Sequence, residues 1–247
     1  MYVKIYKKQK KERKKLKKFF VIIGILLVIF ISLLIYRKSQ QKNIVTASEV
    51  DNIQNYISEI YMWKEVTGEA LPVFDEINNA SDKWIWEVVK KNIDNYDSIT
   101  YNQIQDKIKE IFSQNCTKQF PKEGNEAFLY NEEAQNYEPT ITQIDSDNDV
   151  FIINEIQKEK DEYIVEIVEY IEDYSQEKFD TETGEELEYD ISIKNLSGDV
   201  ITSVKNTEGE TKIIEQVKAN IDKFSKKIVR LTIDKEGKIF VKSVQNK

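Results

Sequence analysis

The 247-residue chain contains no histidine, a single cysteine, three prolines and seven glycines. Without histidine there is no Ser-His-Asp or Cys-His nucleophile, no imidazole base and almost no zinc site of the usual kind. Cys116 stands alone, so no disulfide can close within the chain and a folded domain must be held by its core. In its Gln-Asn-Cys-Thr context it reads as a small semi-buried residue after a helix, with no base to make it a nucleophile. Short acidic turns such as Glu182-Thr-Gly-Glu185 lack the glycine spacing of a phosphate-binding loop.

Charge is absent from one stretch. Residues 19–36 form eighteen consecutive uncharged positions, which as a helix span ~27 Å, close to the hydrocarbon core of a bilayer. Only a helix satisfies its own backbone there, so Phe19, Ile23, Leu27, Phe30, Leu34 and Tyr36 mark the turns of an expected transmembrane helix. Before it, residues 1–18 hold nine lysines and Arg13 against Glu12 alone. By the positive-inside rule this basic tail stays in the cytoplasm and the remainder is exported. The lysines read as topology determinants in contact with the lipid bilayer rather than as a nucleic-acid patch. A cleaved signal peptide fits less well, because its apolar core would be too long and Val45-Thr46-Ala47 lies far past Tyr36. No cysteine comes close enough after the run for lipoprotein processing.

The remainder of the chain is acidic. The whole chain carries a formal charge of −8, but residues 43–247 hold 23 basic and 43 acidic groups. Such a surface repels nucleic acid and favours cations or basic partners, besides keeping the domain soluble. Abundant Lys, Ile, Asn, Glu and Tyr with little proline suits an AT-rich genome and, with this topology, a Gram-positive bacterium.

Residues 37–47 read as a polar linker, and 48–247 as one extracytoplasmic domain of sufficient length for its own core. Ser48 to Asp51 resembles a capping box ahead of Val50, Ile53, Ile57 and Ile60, predicting a helix over 49–66 that ends near Gly68 and Pro72. Its stripe is too short for a convincing coiled-coil seam and reads as core. Ser81 opens a second helix with Trp84, Ile85, Val88, Val89 and Ile93 on one face. Thr100 and Gln103 cap a third, with Ile104, Ile108, Ile111 and Phe112. Trp63, Trp84 and Trp86 at such spacing read as core more readily than as an aromatic cage. Residues 113–148 are irregular but carry Phe120, Phe128, Tyr130 and Tyr137, which predicts a long connection packed down by aromatics.

After Asn148 the period becomes two. Residues 150–156 and 162–174 form an expected hairpin, residues 187–193 alternate as a half-buried strand, and 227–233 with 238–244 close the chain as a second hairpin. Residues 196–226 are ambiguous: Val200 to Val204 suits a strand, whereas Ile214, Val217, Ile221 and Phe224 suit a helix. Helices first and an antiparallel sheet afterwards is the α+β class, with N-terminal helices packed on a curved antiparallel sheet. From Ser81 to Val244 this element order resembles the nuclear-transport-factor-2-like (NTF2-like, cystatin-like) fold, which implies a curved sheet around a conical pocket; a helix within 196–226 departs from it. A bacterial single-pass protein with such an ectodomain looks like the assembly subunits of conjugation-type secretion channels.

Three constellations bear on chemistry. Asp145, Asp147 and Asp149 alternate as calcium ligands do, but Val150 and Ile156 stand where an EF-hand needs glycine and glutamate. Glu166 and Glu172 share one strand face and Glu169 and Asp173 the other, the raw material of a two-carboxylate cell-wall hydrolase. Tyr163, Tyr170, Tyr174 and Tyr189 either line a pocket or fill the sheet face, filling being the simpler reading. No cofactor is implied. The expectation is therefore a single-pass cell-membrane protein whose non-catalytic exported domain serves envelope interaction or assembly, through a protein partner or self-association. The alternatives are the hydrolase and a small-ligand-binding ectodomain. Protease added to intact cells is expected to remove the part beyond Tyr36 and leave the basic tail protected; a mature chain beginning after Ala47 would refute the anchor.

Overall fold

Thr46 starts the first helix two residues ahead of the Ser48 pattern. In the computed structural model, which describes residues 44–93, 98–141 and 147–247, helix α1 runs Ala47–Ile60, and Thr46 and Glu49 form the reciprocal capping box. The expected linker thus ends one residue inside this helix. The lysine tail and the apolar run from Phe19 to Tyr36 lie outside the described residues. No described helix is long and apolar enough to cross a membrane.

The predicted 49–66 helix is in fact two. It breaks after Ile60, where Tyr61 turns extended, and resumes only as the short α2, Lys64–Thr67. The break has a physical cause in α3, Asp82–Lys91, capped by Ser81 as expected. Trp84 Nε1 donates to the Ile60 carbonyl at 3.0 Å, Asn92 Nδ2 to Glu59 at 3.1 Å, and Lys91 Nζ to Ser58 and Tyr61 at 2.8 Å each. Carbonyls that would be orphaned at the end of α1 are therefore taken by one neighbouring helix. Helix α4, Tyr101–Phe112, carries the Thr100–Gln103 capping box and buries Ile104, Ile108, Ile111 and Phe112.

Within the irregular region a small hairpin appears, β1 (Phe128–Asn131) with β2 (Asn136–Pro139). Phe120, Phe128 and Tyr137 pack edge to face at 5.1 to 5.5 Å and are almost fully buried, so the aromatics hold this connection down as anticipated.

The main sheet has six antiparallel strands: β3 (Asp147–Glu159), β4 (Glu162–Asp173), β5 (Asp190–Lys194), β6 (Val200–Lys205), β7 (Ser225–Ile233) and β8 (Ile239–Asn246). β4 is its axis. One edge pairs with β3 along the whole strand, while the other pairs with β7 from Glu162 to Glu169 and with β5 from Ile171 to Asp173. The sheet consequently forks beside Tyr170. The ambiguous 196–226 segment holds both elements: β6 comes first, then helix α5, Glu210–Ala219, burying Ile213 and Val217. The fifth strand is shorter than expected, because Leu187 is 44 % exposed and only Tyr189 onward turns inward.

Alternation along β4 feeds two cores. Val165 and Ile167 face Ile57, Trp84, Phe112 and the other residues of the N-terminal helices; Val168 and Tyr170 face Ile191, Ile193, Ile213 and Val217 in a second cluster under α5. Helices therefore cover both sheet faces, which corrects the expectation of one covered face and is the departure from the NTF2-like order. Tyr56 ties α1 to the sheet, donating to the Ile111 carbonyl at 3.0 Å and accepting from Val241 N at 2.8 Å.

One turn tests this packing. Gly124 has φ +81°, and an added Cβ would meet Phe128 O at 2.7 Å and Tyr130 N at 2.8 Å, whereas at Gly237, φ +85°, it would meet nothing. Gly237→Ala is expected to cost the left-handed strain alone, about 1–2 kcal/mol, and Gly124→Ala roughly 1–3 kcal/mol more from the backbone clash. Paired urea unfolding curves of the two variants measure the difference.

Candidate functional site

β4 carries five acidic residues, and their fates differ. Glu162 pairs with Lys242, Glu166 with Lys247 and Asn154, Glu169 with Lys227, and Asp173 with Lys194. Glu172 meets no lysine among the described ion pairs; instead the Tyr174 hydroxyl donates to its Oε2 at 2.5 Å and the Tyr170 hydroxyl to its Oε1 at 3.2 Å.

The same-face pairs of β4 stand far apart. At ~3.3 Å per strand residue, Glu166 and Glu172 stand ~20 Å apart along β4, and Glu169 and Asp173 ~13 Å. Two-carboxylate glycosidases need about 5–10 Å, which is less than either spacing along the strand. Lys247 draws the Glu166 carboxyl below its ordinary range, and Lys194 draws Asp173 down to about 2, against the opposing effect of burial.

Glu169 is a different case. Only 1 % exposed, it accepts at Oε1 from the Tyr61 hydroxyl at 3.3 Å and from Lys227 Nζ at 3.2 Å, and its Oε2 lies 3.1 Å from the same Nζ as an ionic contact. Burial pushes its carboxyl up, with Lys227 pulling the other way. Lys227 Nζ also donates to the Leu71 carbonyl at 2.5 Å, so the pair fastens the segment after α2 across β4 and β7. A cavity of about 200 Å³ opens beside it, lined by Gly68, Glu69 and Asp149 among others. Lys227 lies against Glu169 and, at 4.0 Å, Glu69, and the arrangement serves as a structural clasp.

On the opposite face a cleft of about 490 Å³ lies between α5, β3, β4 and β5. Tyr170, Tyr174 and Tyr189 wall it together with Ile191, Ile213 and Ile214, and Glu172, Glu186 and Glu210 supply its charge. Among the described residues no lysine or arginine lines it. Burial first, and then the negative charge of Glu172, pushes the Tyr170 and Tyr174 hydroxyls far up, so both stay protonated donors. Glu186 and Glu210 are exposed at the mouth and Glu172 is half-buried. Three of the four tyrosines singled out in the sequence thus line the cleft; Tyr163 fills the main core and donates to Glu49 at 2.7 Å.

The remaining candidates fall elsewhere. Asp145 lies outside the described residues, as does the Asp147 side chain, although Asp147 sits opposite Asp173 in the β3–β4 ladder. Asp149 Oδ2 accepts the Lys64 amide at 2.5 Å. Among the described residues no group of three acidic or cysteine side chains can hold a metal ion. Trp84 and Trp86 are core residues, and Trp63 is half-buried beneath Lys91 Nζ at 5.6 Å, so the three indoles form no cage. Cys116 is buried, which pushes its thiol up.

Compared with family models, curated proteins and solved structures, the chain matches none.

Sequence reasoning points to the cleft's tyrosines but misses Glu172 as its centre. The signal is present, since Tyr170, Glu172 and Tyr174 alternate on one strand face; the missing piece is α5, which builds the opposite wall.

Asp173 gives a pH test. Its folded value is lowered from 3.8 to about 2, so its contribution is complete above pH 4 and disappears as pH falls toward 2. Lys194→Met is expected to flatten that acid limb by about 1–2 kcal/mol. Urea unfolding at about pH 5 and about pH 2.5, with and without the substitution, measures it.

Proposed function

We propose that the chain is a membrane-anchored, non-catalytic module of the bacterial cell envelope whose exported α+β domain holds a partner outside the cell. The carrying observation is the disposition of acidic groups on β4. Four are neutralised by lysines of the domain and stand too far apart for paired carboxylate catalysis, while Glu172 faces an open tyrosine-walled cleft. That pattern supports recognition more than turnover. The apolar run with its lysine flank supports the anchor. A small-ligand-binding ectodomain is the second reading, and the cleft favours it.

Chemical cross-linking in native membranes separates assembly from solitary action. A ladder of homo-oligomers or one constant partner band is expected. A monomer that never cross-links at any reagent concentration would remove the assembly reading and leave the ligand-binding one.

A further inference from the structure

The cleft between α5 and the β3–β4–β5 face carries more than its shape. Its volume of about 490 Å³ lies within the range of sites for drug-sized ligands. Its floor is the one acidic group of β4 that pairs with no lysine among the described residues. Tyrosine hydroxyls hold the Glu172 carboxylate in place without cancelling its charge, and with Glu186 and Glu210 at the mouth the whole site is of one sign. An uncompensated negative site in a partly dehydrated cleft favours a cation.

The lining also decides which kind of cation. A calcium ion needs six to eight oxygens within about 2.6 Å, and the described carboxylates do not converge on any such point. Dispersed carboxylates with aromatic and aliphatic walls suit an elongated organic cation instead: separate ammonium groups meet separate carboxylates, methylene segments lie on isoleucine, and tyrosine faces attract the positive charge.

We propose that this cleft binds an aliphatic polyamine, one ammonium group on Glu172 between the Tyr170 and Tyr174 hydroxyls and the others on Glu186 and Glu210. The proposal rests on the binding reading above but not on assembly. Occupancy neutralises the cleft and bridges α5 to β4, so the ligand stabilises the smaller of the two cores.

The test titrates the full-length chain, in nanodiscs of zwitterionic lipid, with spermidine by calorimetry at about 0.15 M salt, where non-specific surface attraction is screened. Saturable binding near one per chain is expected, weakened at least tenfold by Glu172→Gln, which keeps the side-chain shape, and by Tyr174→Leu. Glu188→Gln, outside the cleft and beside Lys205, is expected to leave the affinity unchanged. Near-ultraviolet circular dichroism identifies any variant that fails to fold, and Glu210→Gln, on an exposed helix start, then takes its place. Equal weakening in Glu188→Gln would reduce the effect to a general acidic surface and overturn the site. So would a calcium titration that saturates and is lost in Glu172→Gln, or a lysine-rich peptide binding far more tightly than spermidine. Absence of saturable heat with spermidine overturns the polyamine while leaving any cross-linked partner intact; binding by a chain that never cross-links removes assembly and leaves the cleft.

Discussion

The structure depends on a single strand that has no solvent face over most of its length. β4 alternates apolar residues into two cores, Val165 and Ile167 under the N-terminal helices and Val168 and Tyr170 under α5. A slip of one residue in its register would exchange the two sets and drive acidic side chains into both clusters. The strand is therefore pinned on each edge, by β3 along its whole length and by β7 and β5 in succession on the other side. Its charges are pinned as well, since burying a carboxylate is tolerable only with a partner in place.

The fork in the sheet arises from that arrangement. Two strands share one edge of β4, β7 as far as Glu169 and β5 from Ile171 onward. On the helix side the Glu169–Lys227 clasp, which also receives the Tyr61 hydroxyl and the Leu71 carbonyl, stands beside the smaller cavity. On the α5 side the larger cleft lies over β3, β4 and β5, and no described group of opposite charge lines it. The two sites differ in where the domain places its lysines: Lys64 and Lys227 line the smaller cavity and none lines the larger cleft.

Much of this is legible in the sequence. The Thr100 capping box, the Ser81 cap, the β3–β4 and β7–β8 hairpins and the α+β class come from local patterns that tertiary context leaves undisturbed. The features that local patterns miss are those set by distant residues. Helix α1 stops at Ile60 because Trp84, Lys91 and Asn92 take its last carbonyls, and no local residue marks that stop. Ser48 resembles a cap in sequence, with Thr46 then falling in the linker, although Glu49 serves Thr46, Lys158 and Tyr163 together. The cleft is half legible: period-two spacing puts Tyr170, Glu172 and Tyr174 on one face, but only α5, ambiguous in sequence, turns that face into an enclosure.

The acidity of residues 43–247 looks different once the lysines are placed. A surplus of 43 acidic over 23 basic groups beyond residue 42 reads as a uniformly negative, soluble surface when the sequence is all there is. In the fold the lysines are not spread at random; Lys194, Lys227, Lys242 and Lys247 converge on the acidic groups of β4 from β5, β7, β8 and the residue after β8. The negative charge left over is consequently unevenly distributed, and part of it gathers around Glu172 where tyrosine replaces lysine as the partner. A carboxylate held by hydroxyls keeps its charge and its orientation at once, which is the condition for recognising a cation from solution and not for packing the interior.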